Sequence, residues 1–175
     1  MPGAVYSPAA CIRQTLRAAQ DHGFPLDHII FELTENERID TAHLRSIAEE
    51  YDRHGFALAL DDFGAGYSGL NLLATLEGID LIKLDGALIR AAGAGERAEA
   101  IVKSIAALCR TLGIAVLGEC VETLTEYHML RRCGVHLMQG YLFARPSIAS
   151  LPTVYWPEAH TENPEALVME STRST

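Results

Sequence analysis

The feature that most constrains the fold of this chain is a series of five short apolar runs, each of which ends in a polar or charged residue. The clearest run begins at Phe56 and ends in the adjacent carboxylates Asp61 and Asp62. Runs of this length are typical of buried strands, whose side chains alternate between the two faces of a sheet. The other four runs end at Glu32, Lys83, Glu119 and Gln139. An isolated Asp-Asp pair is more often a turn or a helix cap, but the repetition predicts that several strands deliver polar groups to one edge of a sheet.

The intervals between these runs show the spacing of apolar residues that is typical of helices. We expect strands at residues 28–33, 56–61, 79–84, 114–119 and 135–139, and helices at residues 8–22, 44–54, 70–76, 96–112 and 123–132. The glycine- and alanine-rich stretch 91–95 is predicted to be a loop. Strands that alternate with helices imply an α/β fold with parallel strands and helical crossovers. In closed barrels and in open doubly wound sheets of this kind, functional groups lie at the carboxyl ends of the strands.

The phase of the strands gives a second prediction. If the polar residue at the end of each run faces inward, the inward set also contains Ile30, Ala57, Ala59, Leu81, Ala115, Leu117 and Leu137. The outward set, which would contact helices, contains Phe31, Leu58, Leu60, Ile82 and Val116. Because both sets are apolar, the strands are predicted to be buried on both faces.

Composition limits the partners and the location. A formal net charge of -9 argues against a nucleic acid polymer as partner, because attraction to phosphates needs an excess of Lys and Arg. The four cysteines show no metal-finger or Cys-x-x-Cys spacing, which favours reduced thiols. The sequence has no secretory signal, and no apolar run approaches the ~20 residues of a membrane span. We therefore expect a cytoplasmic protein without a membrane segment, and a loosely held tail at residues 151–175.

The carboxylates at the strand ends predict a site for hard cations. Glu32, Asp61, Asp62 and Glu119 would converge at one mouth, with Glu35 and Glu122 one turn further out. Carboxylates that crowd together raise one another's pKa, and cations relieve that cost. Oxygen ligands favour Mg²⁺ or Mn²⁺, and an adjacent Asp pair can flank two ions ~3.5–4 Å apart, as two-metal phosphodiester hydrolysis requires.

Other roles for the remaining polar residues stay open at this point. Lys83 can orient the attacking water or offset transition-state charge, or it can pair with Asp80 or Asp85. Gln139 can contact a ligand or cap a strand end. Glu35 and Glu122 can belong to the site or cap helices.

Five motifs resemble, in order and spacing, those of the EAL family of cyclic di-GMP phosphodiesterases. The motifs are Glu32-Leu33-Thr34-Glu35, the segment Asp61-Asp62-Phe63-Gly64-Ala65-Gly66-Tyr67-Ser68, Lys83-Leu84-Asp85, Glu119-Cys120-Val121-Glu122-Thr123 and Gln139-Gly140-Tyr141. The resemblance implies a partial EAL domain at residues 1–150. It implies a modified (β/α)8 TIM-type barrel that uses two Mg²⁺ or Mn²⁺ ions to hydrolyse cyclic di-GMP to linear pGpG.

The resemblance also implies a role for each matched residue. The expected metal ligands are Glu32, Asp61, Asp62 and Glu119. Glu119 is also the expected base that activates water, and Lys83 supports catalysis. Glu35 would shape the loop after Asp62, whereas Glu122 and Gln139 would surround the metals and the substrate. The regulatory loop that couples dimerisation to the metals in the family matches Phe63, Gly64, Ala65, Gly66, Tyr67 and Ser68.

One departure from the family pattern lowers the expected activity. About five of the eight barrel strands are recognisable, so about a quarter to a third of a ~250-residue barrel has no counterpart, including two expected metal ligands. Glu165-Ala166-Leu167 spells the family motif, but its polar, proline-containing surroundings do not suit a barrel strand. We expect weak or absent turnover from the chain alone.

The partners follow from the same reasoning. Unpaired edges of an incomplete sheet invite association, so we expect a homodimer or a larger oligomer. An upstream sensory domain is compatible with the resemblance. The competing hypothesis is a non-catalytic module that binds cyclic di-GMP or a protein partner and transmits a signal. An unrelated metal-dependent barrel enzyme is a weaker third hypothesis.

Overall fold

Five strands alternate with helices over the residues that the structure, a computed structural model, describes: 8–34, 41–66 and 69–157. The strands are β1 (Ile30–Thr34), β2 (Ala57–Phe63), β3 (Leu81–Leu84), β4 (Ala115–Gly118) and β5 (Leu137–Met138). The α-helices are α1 (Pro8–His22), α2 (Thr41–Arg53), α3 (Gly69–Thr75), α4 (Gly86–Ala94), α5 (Glu96–Leu112) and α6 (Leu124–Cys133). The alternation predicted from the sequence is therefore confirmed.

All five strands form one parallel sheet in the order β1-β2-β3-β4-β5. This order follows the chain without the reversal that defines a doubly wound sheet. It is the arrangement of a barrel wall, in which each helix returns the chain to the neighbouring strand. The carboxyl ends of all five strands consequently lie along one rim.

The core lies between the outward face of the sheet and the helices. Leu58, Leu60 and Ile82 are each at most 1% exposed and belong to one apolar cluster with helix residues. The inward face differs from the prediction, since Ile30 and Leu137, on the two edge strands, are 50% and 51% exposed. The prediction of burial on both faces was therefore wrong for these two positions and for Ala115, which is exposed on the interior strand β4. No strand of the described part of the chain covers these inward side chains.

The prediction of a loop at residues 91–95 is wrong, because most of this stretch belongs to α4. The side chain of Asp85 caps this helix by accepting a 2.8 Å hydrogen bond from the Ala87 backbone N–H. Within α4, Ile89 and Ala92 are buried. A single turn of small residues carries little apolar periodicity, so the sequence pattern missed a helix that its cap and its buried face stabilise.

The strand boundaries also shift from the predicted ones. A 3-10 turn at Leu26–His28 delays the start of β1 to Ile30. At the other edge, β5 shortens to two residues. The strand β2 instead continues through Asp62 to Phe63, which places both carboxylates inside the strand rather than in the loop after it.

Several predictions fall on residues outside the described ranges. They concern Glu35, Tyr67, Ser68 and most of the tail, residues 158–175. Over the described ranges, no helix has the length and hydropathy that a membrane crossing requires.

Candidate functional site

The rim at the carboxyl ends of the strands gathers the predicted polar residues. Glu32 lies on β1, Asp61 and Asp62 on β2, and Lys83 on β3. Glu119 follows β4 directly, and Gln139 follows β5 directly. Each strand thus contributes the residue that ends its apolar run, as the sequence pattern predicted.

Lys83 connects three strands through ion pairs. Its Nζ atom lies 2.8 Å from Asp61 Oδ1, 2.9 Å from Glu32 Oε1 and 2.9 Å from Glu119 Oε1. The Lys83 side chain is 11% exposed, whereas that of Glu32 is 47% exposed. Lys83 is therefore the buried centre of the charge cluster.

The alternative partners proposed for Lys83 have other hydrogen bonds. Asp80 Oδ2 accepts a 2.9 Å hydrogen bond from the Leu58 backbone N–H. Asp85 caps α4 through Ala87. The pairing of Lys83 with Asp80 or Asp85 is consequently replaced by pairing with the rim carboxylates.

The surroundings of Lys83 favour its charged form. Burial on its own lowers the pKa of Lys83, but the hydrogen bonds with Asp61, Glu32 and Glu119 outweigh it and hold this pKa above its usual value. Lys83 therefore remains a cation throughout the physiological pH range.

Asp62 shows how two successive carboxylates reach one site. In a regular strand, neighbouring side chains point to opposite faces. Asp62 has a φ of 54°, and the pairing of β2 with β3 shifts register between Leu60 and Phe63. This irregularity, which resembles a β-bulge, turns the chain between Asp61 and Asp62. Both carboxylates then serve the same cluster.

Three carboxylates are close enough together to share metal ions. Asp61, Asp62 and Glu119 each offer one oxygen, and these oxygens all lie within 4.8 Å of one another. Glu32 is not a member of this group, but it joins the cluster through Lys83. A donor set made only of carboxylate oxygens fits a hard divalent cation such as Mg²⁺ or Mn²⁺.

Gln139 orients the carboxylate of Glu119. Its Nε2 atom donates a 2.7 Å hydrogen bond to Glu119 Oε1, the oxygen that also contacts Lys83. The Gln139 backbone N–H donates to the Gly118 carbonyl at 2.9 Å. Gln139 therefore contacts the site with its side chain while its backbone continues the strand pairing.

Glu122 lies at the edge of the site rather than at its centre. Its side chain is exposed, and the N-cap of α6 is Thr123, so Glu122 does not cap that helix. Together with Gln139, Tyr141 and Arg145 it lines a cavity of about 520 Å³. The Arg145 guanidinium lies 4.8 Å from the centroid of the Tyr141 ring. The cavity thus opens beside the carboxylates.

The predicted regulatory loop borders a second, mainly apolar groove. Phe63, Gly64 and Gly66 line this groove, of about 790 Å³, together with Leu70 of α3 and Ile101 of α5. Phe63 is only 3% exposed, and Gly69 leaves room for its ring. The start of the loop is therefore packed against α3 and α5, close to the carboxylates of β2.

The structure also adds a residue that the sequence interpretation missed. Glu126 is 7% exposed in the first turn of α6, and its carboxylate accepts hydrogen bonds from the backbone of Glu122 and Thr123. The Thr-x-x-Glu spacing at Thr123 is that of a capping box. This motif was present in the sequence and could have identified Glu126.

Comparison with known proteins places this chain in a family. The sequence model of the EAL domain matches residues 2–146. The chain belongs to the EAL domain family. It is 38% identical over 122 residues to "Probable cyclic di-GMP phosphodiesterase PdeD" of Escherichia coli K12, which covers 70% of the chain and 23% of that protein. The EAL chain thus spans about a quarter of the length of this relative.

Solved structures of EAL proteins share the fold. A standalone versatile EAL protein from Vibrio cholerae O395 in its c-di-GMP-bound form matches with a TM-score of 0.80 and 46% identity, over 89% of this chain and 65% of that one. The calcium and cyclic di-GMP complex of Klebsiella pneumoniae BlrP1 matches with a TM-score of 0.77 and 37% identity, over 83% of this chain and 37% of that one. These matches confirm an incomplete EAL-type barrel.

Proposed function

We propose that this EAL chain carries a cyclic di-GMP phosphodiesterase site that produces linear pGpG with the help of two Mg²⁺ or Mn²⁺ ions. The observation that carries the proposal is the group formed by Asp61, Asp62 and Glu119, whose oxygens lie within 4.8 Å of one another at the rim of the strands. Membership of the EAL family and the cyclic di-GMP complexes of similar proteins support the choice of ligand.

Electrostatics explains why such a site needs cations. Glu32, Asp61 and Glu119 contact the ammonium group of Lys83, and Asp62 lies beside Asp61 and Glu119. Four carboxylates against one ammonium group leave a negative charge, so an anionic phosphodiester would meet net repulsion. Divalent ions held by Asp61, Asp62, Glu119 and Glu32 would supply positive charge and Lewis-acid activation of the scissile phosphodiester. The similar BlrP1 structures contain calcium or manganese together with the nucleotide.

The protein groups have separate roles in this proposal. Glu119 takes the proton of the attacking water, and the hydrogen bonds from Gln139 and Lys83 fix its orientation. Lys83 stabilises the negative charge that develops on the phosphoryl oxygens. The cavity beside Glu122 offers space for one nucleoside of the ligand.

We further propose that the chain forms a homodimer through the apolar groove beside the regulatory loop. Leu70, Ile101 and Leu108 line this groove and are 63%, 47% and 38% exposed. Burial of such side chains against a second copy would gain about 25 cal/mol per Å² of apolar surface. Sedimentation equilibrium should give twice the mass of the chain, and Ile101→Glu should give the monomer. A monomeric parent chain would contradict this proposal.

The hydrolysis test uses stoichiometric enzyme, because we expect slow turnover from a chain that spans only part of its relatives. Purified chain is incubated with cyclic di-GMP and Mn²⁺, and the products are separated by chromatography. We expect conversion to pGpG that requires Mn²⁺ and disappears in Glu119→Gln. Metal-dependent binding without any conversion would instead favour the non-catalytic binding module. Neither binding nor conversion would refute both functions for this chain.

A further inference from the structure

The buried carboxylate of Glu126 holds the backbone of the loop that follows Glu119. Its Oε2 atom accepts two backbone hydrogen bonds, at 2.9 Å from the N–H of Glu122 and at 3.0 Å from the N–H of Thr123. In return, Thr123 Oγ1 accepts a 3.2 Å hydrogen bond from the Glu126 backbone N–H. The Glu126 side chain is buried, so these bonds are protected from water.

The hydrogen bond from the Glu122 N–H to Glu126 is not part of the helix cap. A capping box consists of the reciprocal pair between Thr123 and Glu126. The additional bond to Glu122 lies outside α6, on the loop of residues 119–123 that starts with Glu119. Glu126 therefore ties the helix to the segment that carries a rim carboxylate.

The other side of this loop is also fixed. The Val121 backbone N–H donates to the Gln139 carbonyl at 3.0 Å, and the Leu142 N–H donates to the Val121 carbonyl at 2.9 Å. A Cβ atom at Gly140 would collide with the backbone N and O of Val121. Hydrogen bonds therefore hold residues 119–123 on two sides, from the backbone around and after β5 and from the carboxylate of Glu126.

We propose that Glu126 is a positioning residue for Glu119, which sets this carboxylate at the distance from Asp61 and Asp62 that a shared divalent ion requires. The inference rests on the proposed function at that site. It predicts that loss of the Glu126 carboxylate releases the loop and weakens divalent-ion binding, although Glu126 itself touches neither ion nor substrate. Partners that hydrogen-bond a metal ligand directly change metal affinity by about 10–100-fold, and this range sets the scale for a group that holds the loop of the ligand.

Three variants of the full chain separate positioning from helix capping. Glu126→Ala removes both loop hydrogen bonds, whereas Glu126→Gln keeps an oxygen acceptor. Thr123→Ala is the matched control, because it breaks the capping box at α6 but leaves the Glu126 carboxylate free to hold the loop. Amide hydrogen exchange without metal reports on the loop, and titration with Mn²⁺ followed by electron paramagnetic resonance reports on the ion.

We expect Glu126→Ala to speed amide exchange at Glu122 and Thr123 and to weaken Mn²⁺ binding by about 10-fold or more. Glu126→Gln should restore most of the affinity, and Thr123→Ala should change exchange mainly within α6. Equal losses of Mn²⁺ affinity in Glu126→Ala and Thr123→Ala would overturn the inference, because helix capping would then explain both. If the parent chain bound no Mn²⁺, the proposed function would fail, whereas unchanged exchange in Glu126→Ala would overturn the positioning role separately.

Discussion

The Nζ atom of Lys83 lies 2.8 Å from Oδ1 of Asp61, a contact that joins the middle strand of the sheet to the neighbouring strand that carries the Asp pair. The same Nζ atom contacts Glu32 and Glu119 at 2.9 Å. A single buried cation thus balances carboxylates from three other positions along the rim. Its removal should affect both stability and metal binding.

Lys83→Met keeps the length of the side chain and removes its charge. Without metal, we expect a loss of about 2 kcal/mol in the free energy of unfolding, less than a fully buried ion pair would cost because Glu32 is half exposed. Mn²⁺ should reduce this loss, since it neutralises the same carboxylates. Thermal unfolding in EDTA and in Mn²⁺ measures both effects. The control is Lys103→Met at the exposed other lysine of the chain. Equal loss in both buffers would contradict the shared charge site.

Asp62→Asn tests the carboxylate without disturbing the backbone. Asn tolerates the left-handed conformation that Asp62 adopts at a φ of 54°. We expect almost unchanged thermal stability but weaker Mn²⁺ binding, because one oxygen ligand loses its charge. Asp62→Ala should lose the same affinity and an additional ~1 kcal/mol of stability from backbone strain. Unaltered Mn²⁺ affinity in both variants would remove Asp62 from the metal site.

Gly140→Ala tests the close approach of the two loops at the rim. Gly140 has a φ of 157°, and an added Cβ would collide with the backbone of Val121. We expect a loss of about 1–3 kcal/mol in the free energy of unfolding and a displaced Gln139. The control is Gly95→Ala, where the nearest atom to an added Cβ is 3.9 Å away. Denaturant unfolding that shows equal effects in both variants would speak against this close approach.

The cysteines give a prediction on pH. Burial raises the pKa of Cys109 to about 11, and burial followed by the charge of Glu99 raises the pKa of Cys133. Since an unfolded thiol titrates near pH 8.5, the folded state favours the protonated form. The stabilisation by Cys109 is therefore complete below about pH 8.5 and disappears as the pH rises through about 11.

Thiol labelling at pH 8 measures the difference in accessibility between the exposed and the buried cysteines. In a Cys11→Ser background, the exposed Cys120 should react quickly with Ellman's reagent, whereas Cys109 and Cys133 should react only after unfolding. Three equally fast thiols would contradict the buried positions of the latter two.

Much of this site followed from the sequence because parallel strands impose a simple rule. Apolar runs that end in polar residues must bring those residues to one rim, and the structure places Glu32, Lys83 and Glu119 there. The rule also predicted the inward direction of Gln139. It did not predict how Asp61 and Asp62 reach the same cluster, because strict alternation of side chains separates them. Only the irregular backbone at Asp62 resolves that conflict.

Other features depend on interactions that apolar periodicity does not record. The helix α4 was not predicted because its small residues are also typical of a loop. The cap at Asp85 and the burial of Ile89, which stabilise the helix, are visible only in the structure. Ile30 is exposed because β1 lies at the edge of the sheet. The apolar run that contains Ile30 does not show which strands will lie beside it. Glu126 was missed because apolar periodicity does not record a capping box, although the Thr-x-x-Glu spacing of Thr123 and Glu126 was present in the sequence.

Calorimetric titration of cyclic di-GMP into the chain, in Ca²⁺ and in EDTA, tests the central claim most directly. Calcium accompanies the nucleotide in the similar BlrP1 complex and lets binding be measured apart from turnover. We predict binding in Ca²⁺, none in EDTA, and a loss of at least about 10-fold in affinity in Asp61→Asn. Binding of equal strength in EDTA, or no binding in Ca²⁺, would contradict a metal-dependent cyclic di-GMP site formed by the rim carboxylates.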